Sequence, residues 1–87
     1  MIGQVTADFT ATNSQGCSPL NVKFSDFSTG AITSYLWDFG NGNSSTLKDP
    51  SAIYITPGTY TVTLTVKDIS SNSSTETKTK FITVFNG

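Results

Sequence analysis

The sequence has no histidine and no arginine, a single cysteine (Cys17), a single glutamate (Glu76) and no long apolar run. Each absence removes a class of protein. Without histidine, Ser-His and Cys-His nucleophile pairs cannot be built, and zinc and copper lose their preferred ligands. The only basic side chains are Lys23, Lys48, Lys67, Lys78 and Lys80, scattered except for the last two. At a net charge of -1, nothing gathers the positive charge that displaces counterions from phosphates, so nucleic acid is not an expected partner. No segment approaches the ~20 apolar residues that cross a bilayer, so membrane insertion by this segment is not expected. Cys17 has no internal partner, and packing alone must hold the fold. No histidine or arginine stands near it to activate the thiol, so it is expected as a partly buried small apolar residue in a monomer.

Charge is scarce too. Charged residues make up 13% of the chain, about half the ~25% of ordinary soluble domains, and Ser, Thr and Asn take the polar places. The carboxylates Asp8, Asp26, Asp38, Asp49, Asp68 and Glu76 show no spacing that would gather two of them in one cleft. A general acid–base pair therefore has no evident basis, and the chain is not expected to be an enzyme. The 87 residues suit one small domain, 1–87. No leader precedes the first strand pattern, so the chain is read as a module excised from a larger multidomain protein, with Met1 as an expression start.

What the chain does contain is alternation with a period of two. The segment from Thr59 to Lys67 reads T-Y-T-V-T-L-T-V-K. Tyr60, Val62, Leu64 and Val66 fall on one face, and the odd-numbered threonines on the other, toward water. Such a strand has one face on a core and one in solvent. Further strands are predicted over 6–11, 20–26, 34–39, 51–55 and 75–85. Ala7, Phe9, Leu20, Val22, Phe24, Tyr35, Trp37, Phe39, Ile82 and Val84 are the candidate core. Leu36, Ile53, Phe81 and Phe85 fall off that phase and are expected outside or at sheet edges, unless a bulge returns Phe81 to the core. Turn signals punctuate the runs: Gly16 and Pro19, Thr29-Gly30, Gly40-Asn41-Gly42, Asp49-Pro50 and Pro57-Gly58. About seven short strands with regular turns define an all-β fold, an immunoglobulin-like β-sandwich.

Three linked motifs sharpen this. Trp37-Asp38-Phe39-Gly40-Asn41-Gly42 is followed by Asp49-Pro50-Ser51 with Tyr54, and then by Pro57-Gly58-Thr59-Tyr60 with Val62, Leu64 and Val66. The chain resembles the polycystic kidney disease (PKD) domain family, whose signature runs W-D-F-G-D-G, N-P-x-H-x-Y and P-G-x-Y-x-V-x-L-x-V. Three positions depart from it: Asn41 stands for Asp, Asp49 for Asn, and Ala52 for His. The last implies a missing partner near Tyr54. Trp37 is expected as the central core aromatic, Asp38 as the cap of the Gly40 turn, and Gly40 and Gly42 as positive-φ positions.

The resemblance implies an extracellular or cell-surface module acting by protein–protein or protein–carbohydrate contact. The leading expectation is a non-catalytic module that spaces or presents neighbouring domains in a surface-layer, adhesion or secreted protein. The alternative is the accessory substrate-binding module of a secreted hydrolase acting on an insoluble polymer. Some members of the family bind calcium, and Asp38, Asn41 and Asp68 are the candidate oxygen ligands for at most weak binding; no other cofactor is expected. Asn43-Ser44-Ser45 and Asn72-Ser73-Ser74 match the glycosylation acceptor pattern in predicted loops.

Overall fold

The computed structural model describes residues 5–12 and 14–86; Met1 lies outside them. The alternating segments form strands near the predicted bounds, except that the strand expected over 6–11 is confined to Phe9–Thr12, with Thr6 in an isolated bridge to Thr29. These are β1 (Phe9–Thr12), β2 (Gln15–Cys17), β3 (Leu20–Asp26), β4 (Ile32–Asp38), β5 (Ser44–Ser45), β6 (Ser51–Tyr54), β7 (Gly58–Asp68) and β8 (Ser73–Phe85). They make two sheets, ordered β1-β3-β6 and β2-β8-β7-β4-β5. All pairings are antiparallel except β2 with β8, which is parallel: Gln15 pairs with Thr83 and Cys17 with Phe85. The chain crosses between sheets after β1, β2, β3, β5 and β6, giving the immunoglobulin-like sandwich.

The inward residues of both sheets meet in one core. Val62, Leu64 and Val66 of β7 face Leu20, Val22 and Phe24 of β3, and all six are buried. Trp37 is fully enclosed among rings. It lies edge-on to Phe9 at 5.1 Å, tilted to Phe24 at 5.3 Å and stacked with Phe39 at 6.3 Å between centroids. A buried indole N–H needs an acceptor, and Trp37 Nε1 donates to the Leu47 carbonyl at 2.8 Å. Tyr54 is buried as well, and its hydroxyl donates to the Phe39 carbonyl at 2.9 Å. The partner expected to be missing beside Ala52 is therefore supplied by backbone. Ala52 itself is buried, paired with Val22.

Eight strands form among the described residues, in keeping with about seven, and the short β2 and β5, which no alternation marks, lie at the edges of the larger sheet. Several expectations need correction. Tyr60 is half-buried rather than enclosed, since its hydroxyl reaches out to the Thr56 carbonyl and pins the corner before β7. Thr61, Thr63 and Thr65 are half-covered, not free in water, because β4 and β8 flank them; Thr65 and Thr75 hydroxyls share a hydrogen bond of 3.2 Å. Cys17 is exposed, because it lies on an edge strand that only β8 supports. Leu36, Ile53 and Phe85 are exposed as expected. Phe81 returns to the core through a bulge between Tyr60 and Val62, with its ring 5.7 Å from that of Phe9.

The body is a rod of 49 × 17 × 17 Å. Val5 and Thr6 lie at one pole, where Thr6 pairs with Thr29, and β8 runs from that pole to end at Phe85 at the other. We expect Trp37→Ala to cost about 3–5 kcal/mol, the range for emptying a large buried aromatic site. Thr63→Ala, on the outer face of β7, should cost less than ~1 kcal/mol. Urea unfolding of the two variants measures the order; equal losses would mean that the faces are wrongly assigned.

A candidate groove beside the Gly40 turn

The segment after β4 must reverse within a few residues, and its side chains are suited to that. Asp38 Oδ1 accepts from Gly40 N at 3.0 Å, and Asn41 Oδ1 accepts from Asn43 N at 3.1 Å. Phe39 N donates to the Asn43 carbonyl at 3.2 Å and closes the turn. Gly40 has φ +81°, and a Cβ there would lie 2.4 Å from the Thr61 carbonyl oxygen. Gly42 has φ +91° with open space around it. Gly40 is thus required twice, by conformation and by the close approach of β7, whereas Gly42 is required by conformation alone.

Asn41 then reaches out of the turn. Its Nδ2 donates to the Ile53 carbonyl on the edge of β6 at 3.2 Å, tying the turn of one sheet to the other sheet. A carboxylate could not make that bond, so the asparagine that stands for the signature's aspartate replaces a charge with a donor. Between β5 and β6 this leaves a groove of about 580 Å³, with Ile53 and Ile55 exposed along it and Asn43, Ser44 and Ser51 beside them. A smaller hollow of about 200 Å³, between Asn41 and Tyr60, continues it. No charged side chain lines either hollow. Their chemistry is amide and hydroxyl hydrogen bonding over an apolar floor, which suits an uncharged polar chain. The off-phase position of Ile53 was the only sequence signal for this groove.

The three candidate calcium ligands are not brought together. Asp38 pairs with Thr63 on β7, and Asp68 ends the same strand. They are separated by about 17 Å at the ~3.3 Å rise of a strand. Among the described residues no group of three or more His, Cys, Asp or Glu side chains could hold a metal ion. Asp68 builds the turn at the opposite pole instead. Its Oδ1 accepts from Ser70 N and Asn72 N, both at 2.9 Å, and its Oδ2 accepts from Asn72 Nδ2 at 3.1 Å. Burial pushes this carboxyl up, but the bonds from the Asn72 side chain and from the Asn72 and Ser70 amides outweigh it and hold it below the usual aspartate value. In Tyr54 the phenol is raised, first by burial and then by Tyr60 and Asp38, so it remains a donor. Of the two acceptor asparagines, Asn43 is exposed in the groove, while Asn72 already gives an amide hydrogen to Asp68.

The sandwich and its glycine turn define the class: an immunoglobulin-like β-sandwich module with a tight glycine turn after β4 and a buried tryptophan capped by the Leu47 carbonyl. The family model described as "PKD domain" matches residues 3–84, and the chain belongs to that family. The PKD1 domain of Vibrio anguillarum Epp superposes with a TM-score of 0.79 at 33% identity, covering 98% of this chain and 100% of that one. The PKD1 domain of the Vibrio cholerae metalloprotease PrtV gives 0.78 at 38%, over 93% and 96%. A structure of carbohydrate-binding modules from the β-sandwich superfamily gives 0.88 at 32%, covering all of this chain and 36% of that one. In sequence, the pre-pro-metalloprotease PrtV of Vibrio cholerae is 46% identical over 75% of this chain, and the microbial collagenase of Vibrio alginolyticus 37% over 98%. The matched segments are only 7% and 11% of those proteins' lengths.

Two outcomes follow from this geometry. Gly42→Ala should cost about 1–2 kcal/mol, the penalty of left-handed backbone for a residue with a Cβ, and Gly40→Ala distinctly more because it also strikes the Thr61 carbonyl; denaturant midpoints compare them. For Asp68, a folded pKa below the unfolded one means stability that is present above the ordinary value of 3.8 and is lost as pH falls through the lower, folded value. Wild type and Asp68→Ala should therefore differ most near neutrality and converge in acid, as read from unfolding curves at a series of pH values.

Proposed function

We propose that the chain is a non-catalytic extracellular module that spaces or presents the neighbouring domains of a larger protein. The observation that carries this reading is the path of the chain. The first described residues, Val5 and Thr6, lie at one pole of a 49 Å rod and the last strand ends at the other, so a domain joined before it and one joined after it would be held apart by about that length. The framework is suited to that role, with a single ring-packed core and tight corners pinned by Tyr60 and Asp68. The extracellular setting is inferred from the relatives, which are a pre-pro-metalloprotease and collagenases. None of these names points to a surface layer or to adhesion, so that part of the expectation gains no support from them. Calcium, in this reading, binds weakly at most.

A second reading has its own support. The same relatives are enzymes whose names include collagenase, a structural relative is a carbohydrate-binding module, and the uncharged groove beside the Gly40 turn suits a neutral polymer. As an accessory module of a secreted hydrolase, the chain would hold insoluble substrate through that groove. One experiment separates the two readings. The chain is incubated with insoluble collagen and with insoluble neutral polysaccharides, and the bound fraction is measured by sedimentation. The spacing reading expects no retention above an inert carrier. Retention that is lost in Ile53→Asp, a folded variant with a charge in the groove, would establish the accessory reading in its place.

A further inference from the structure

One bond of the candidate groove can be cut by the chain's own chemistry. Asn41 is followed by Gly42, and an asparagine side chain stands within reach of the backbone nitrogen of the residue after it. When that residue is glycine, no Cβ obstructs the approach. Gly42 is exposed, and a Cβ added to it would meet nothing within 4 Å. Water and hydroxide therefore have access to its N–H. Asn21, Asn43 and Asn72 are followed instead by Val22, Ser44 and Ser73, whose side chains stand in the way of the same attack.

The turn also prepares the amide. Asn41 Oδ1 accepts from Asn43 N at 3.1 Å. That bond closes a ring in which Gly42 N lies between the Asn41 side chain and the donor, so Cγ is kept on the side of the nitrogen that would attack it. As the attack proceeds, negative charge develops on Oδ1, and the Asn43 N–H already points at the atom that carries it. One contact opposes the reaction: Nδ2 is held by the Ile53 carbonyl at 3.2 Å. It joins an exposed turn to β6 at the edge of the smaller sheet, and bonds in such places open in local fluctuations.

We propose that Asn41 is a site of spontaneous deamidation in the folded chain, and that the reaction releases the Gly40 turn from β6. Gly42 N bonds to Asn41 Cγ, the Cγ–Nδ2 bond breaks, and Nδ2 leaves as ammonia with the proton given up by Gly42 N. Water then opens the cyclic imide. Addition at Cγ gives aspartate; addition at the Asn41 backbone carbonyl carbon gives isoaspartate, with the chain rerouted through the side chain. Aspartate keeps an acceptor for Asn43 N but has no donor for the Ile53 carbonyl. Two oxygens then face each other across the former bond, and a negative charge enters a groove whose lining is neutral. The site exists whether the module spaces domains or holds a polymer.

The test incubates the chain at mildly alkaline pH, with circular dichroism to show that it stays folded, beside a second sample in urea. Proteolysis and mass spectrometry read amide-to-acid conversion at each asparagine, and an isoaspartyl methyltransferase labels the isoaspartate product. The peptide carrying residue 41 is read apart from that carrying Asn86-Gly87, the other Asn-Gly pair of the sequence. Conversion at position 41 in the folded sample should run several-fold ahead of Asn21, Asn43 and Asn72. The converted chain is then separated by anion exchange. Its amides 51–55 should exchange hydrogen several-fold faster than those of the unreacted chain, with Asn41→Asp as the reference for the aspartate product. Conversion in urea alone, a folded sample in which position 41 does not lead those three, or unchanged exchange over 51–55 in the converted chain overturns the proposal.

Discussion

The enclosure of Trp37 is the condition on which the rest of the molecule depends. A chain with one cysteine cannot be stapled, so its two sheets are held by what lies between them. Trp37 is the largest side chain there, and it belongs to one sheet while touching Phe9 and Phe24 of the other. Its N–H must find an acceptor, and the Leu47 carbonyl supplies one from the segment that crosses between sheets. That bond fixes the course of the chain from β5 to β6. The position of β6 in turn sets Tyr54 beneath Phe39 and places Ile53 where Asn41 can reach it. The groove is thus a by-product of how the tryptophan is capped.

Much of this was legible because alternation reports burial directly. The bounds of β3 matched the reading residue for residue, and β6 and β7 were recovered to within one residue at each end. Their inward residues were those expected, apart from Tyr60. What the sequence hid were features made by pairing across long distances. Gln15–Cys17 carries no alternation, and it becomes a strand only because the end of β8 lies beside it; that placement leaves Cys17 in solvent. Ser44–Ser45 is likewise a strand by contact alone. The bulge opposite Thr61 changes which residues of β8 face inward; the off-phase Phe81 pointed to a bulge, but not to its place at Lys80 opposite Thr61. The separation of Asp38 from Asp68 was hidden for a similar reason: both end strands, but spacing along the chain does not say at which pole.

The candidate site was legible as a turn and not as a groove. The glycines and the Asx residues of 38–43 are a local code, read from conformational preference. The bond from Asn41 to Ile53 is not local, and it gives the departure from the family signature a physical meaning. An amide at that position does what a carboxylate cannot, and it leaves the groove uncharged. The lining of the groove is therefore confined to neutral donors and acceptors around an apolar floor. Asp26, Asp38 and Asp68 accept from turn amides, Asp49 accepts from Asp26 N, and Asp8 and Glu76 lie beside Lys78.

The parallel pairing of β2 with β8 bears on how the rod would answer a pull at its two ends. The early part of the chain would be drawn toward one pole and Phe85 toward the other. Strands β2 and β8 lie side by side between those points, held by hydrogen bonds that include Ser18 N to the Phe85 carbonyl and Thr83 N to the Ser14 carbonyl. Tension along the rod would slide one strand past the other and load these bonds together. An antiparallel hairpin pulled at its open end would give them up one at a time. The short strand that sequence patterning could not reveal lies where it would resist such a pull, its bonds to β8 loaded in shear.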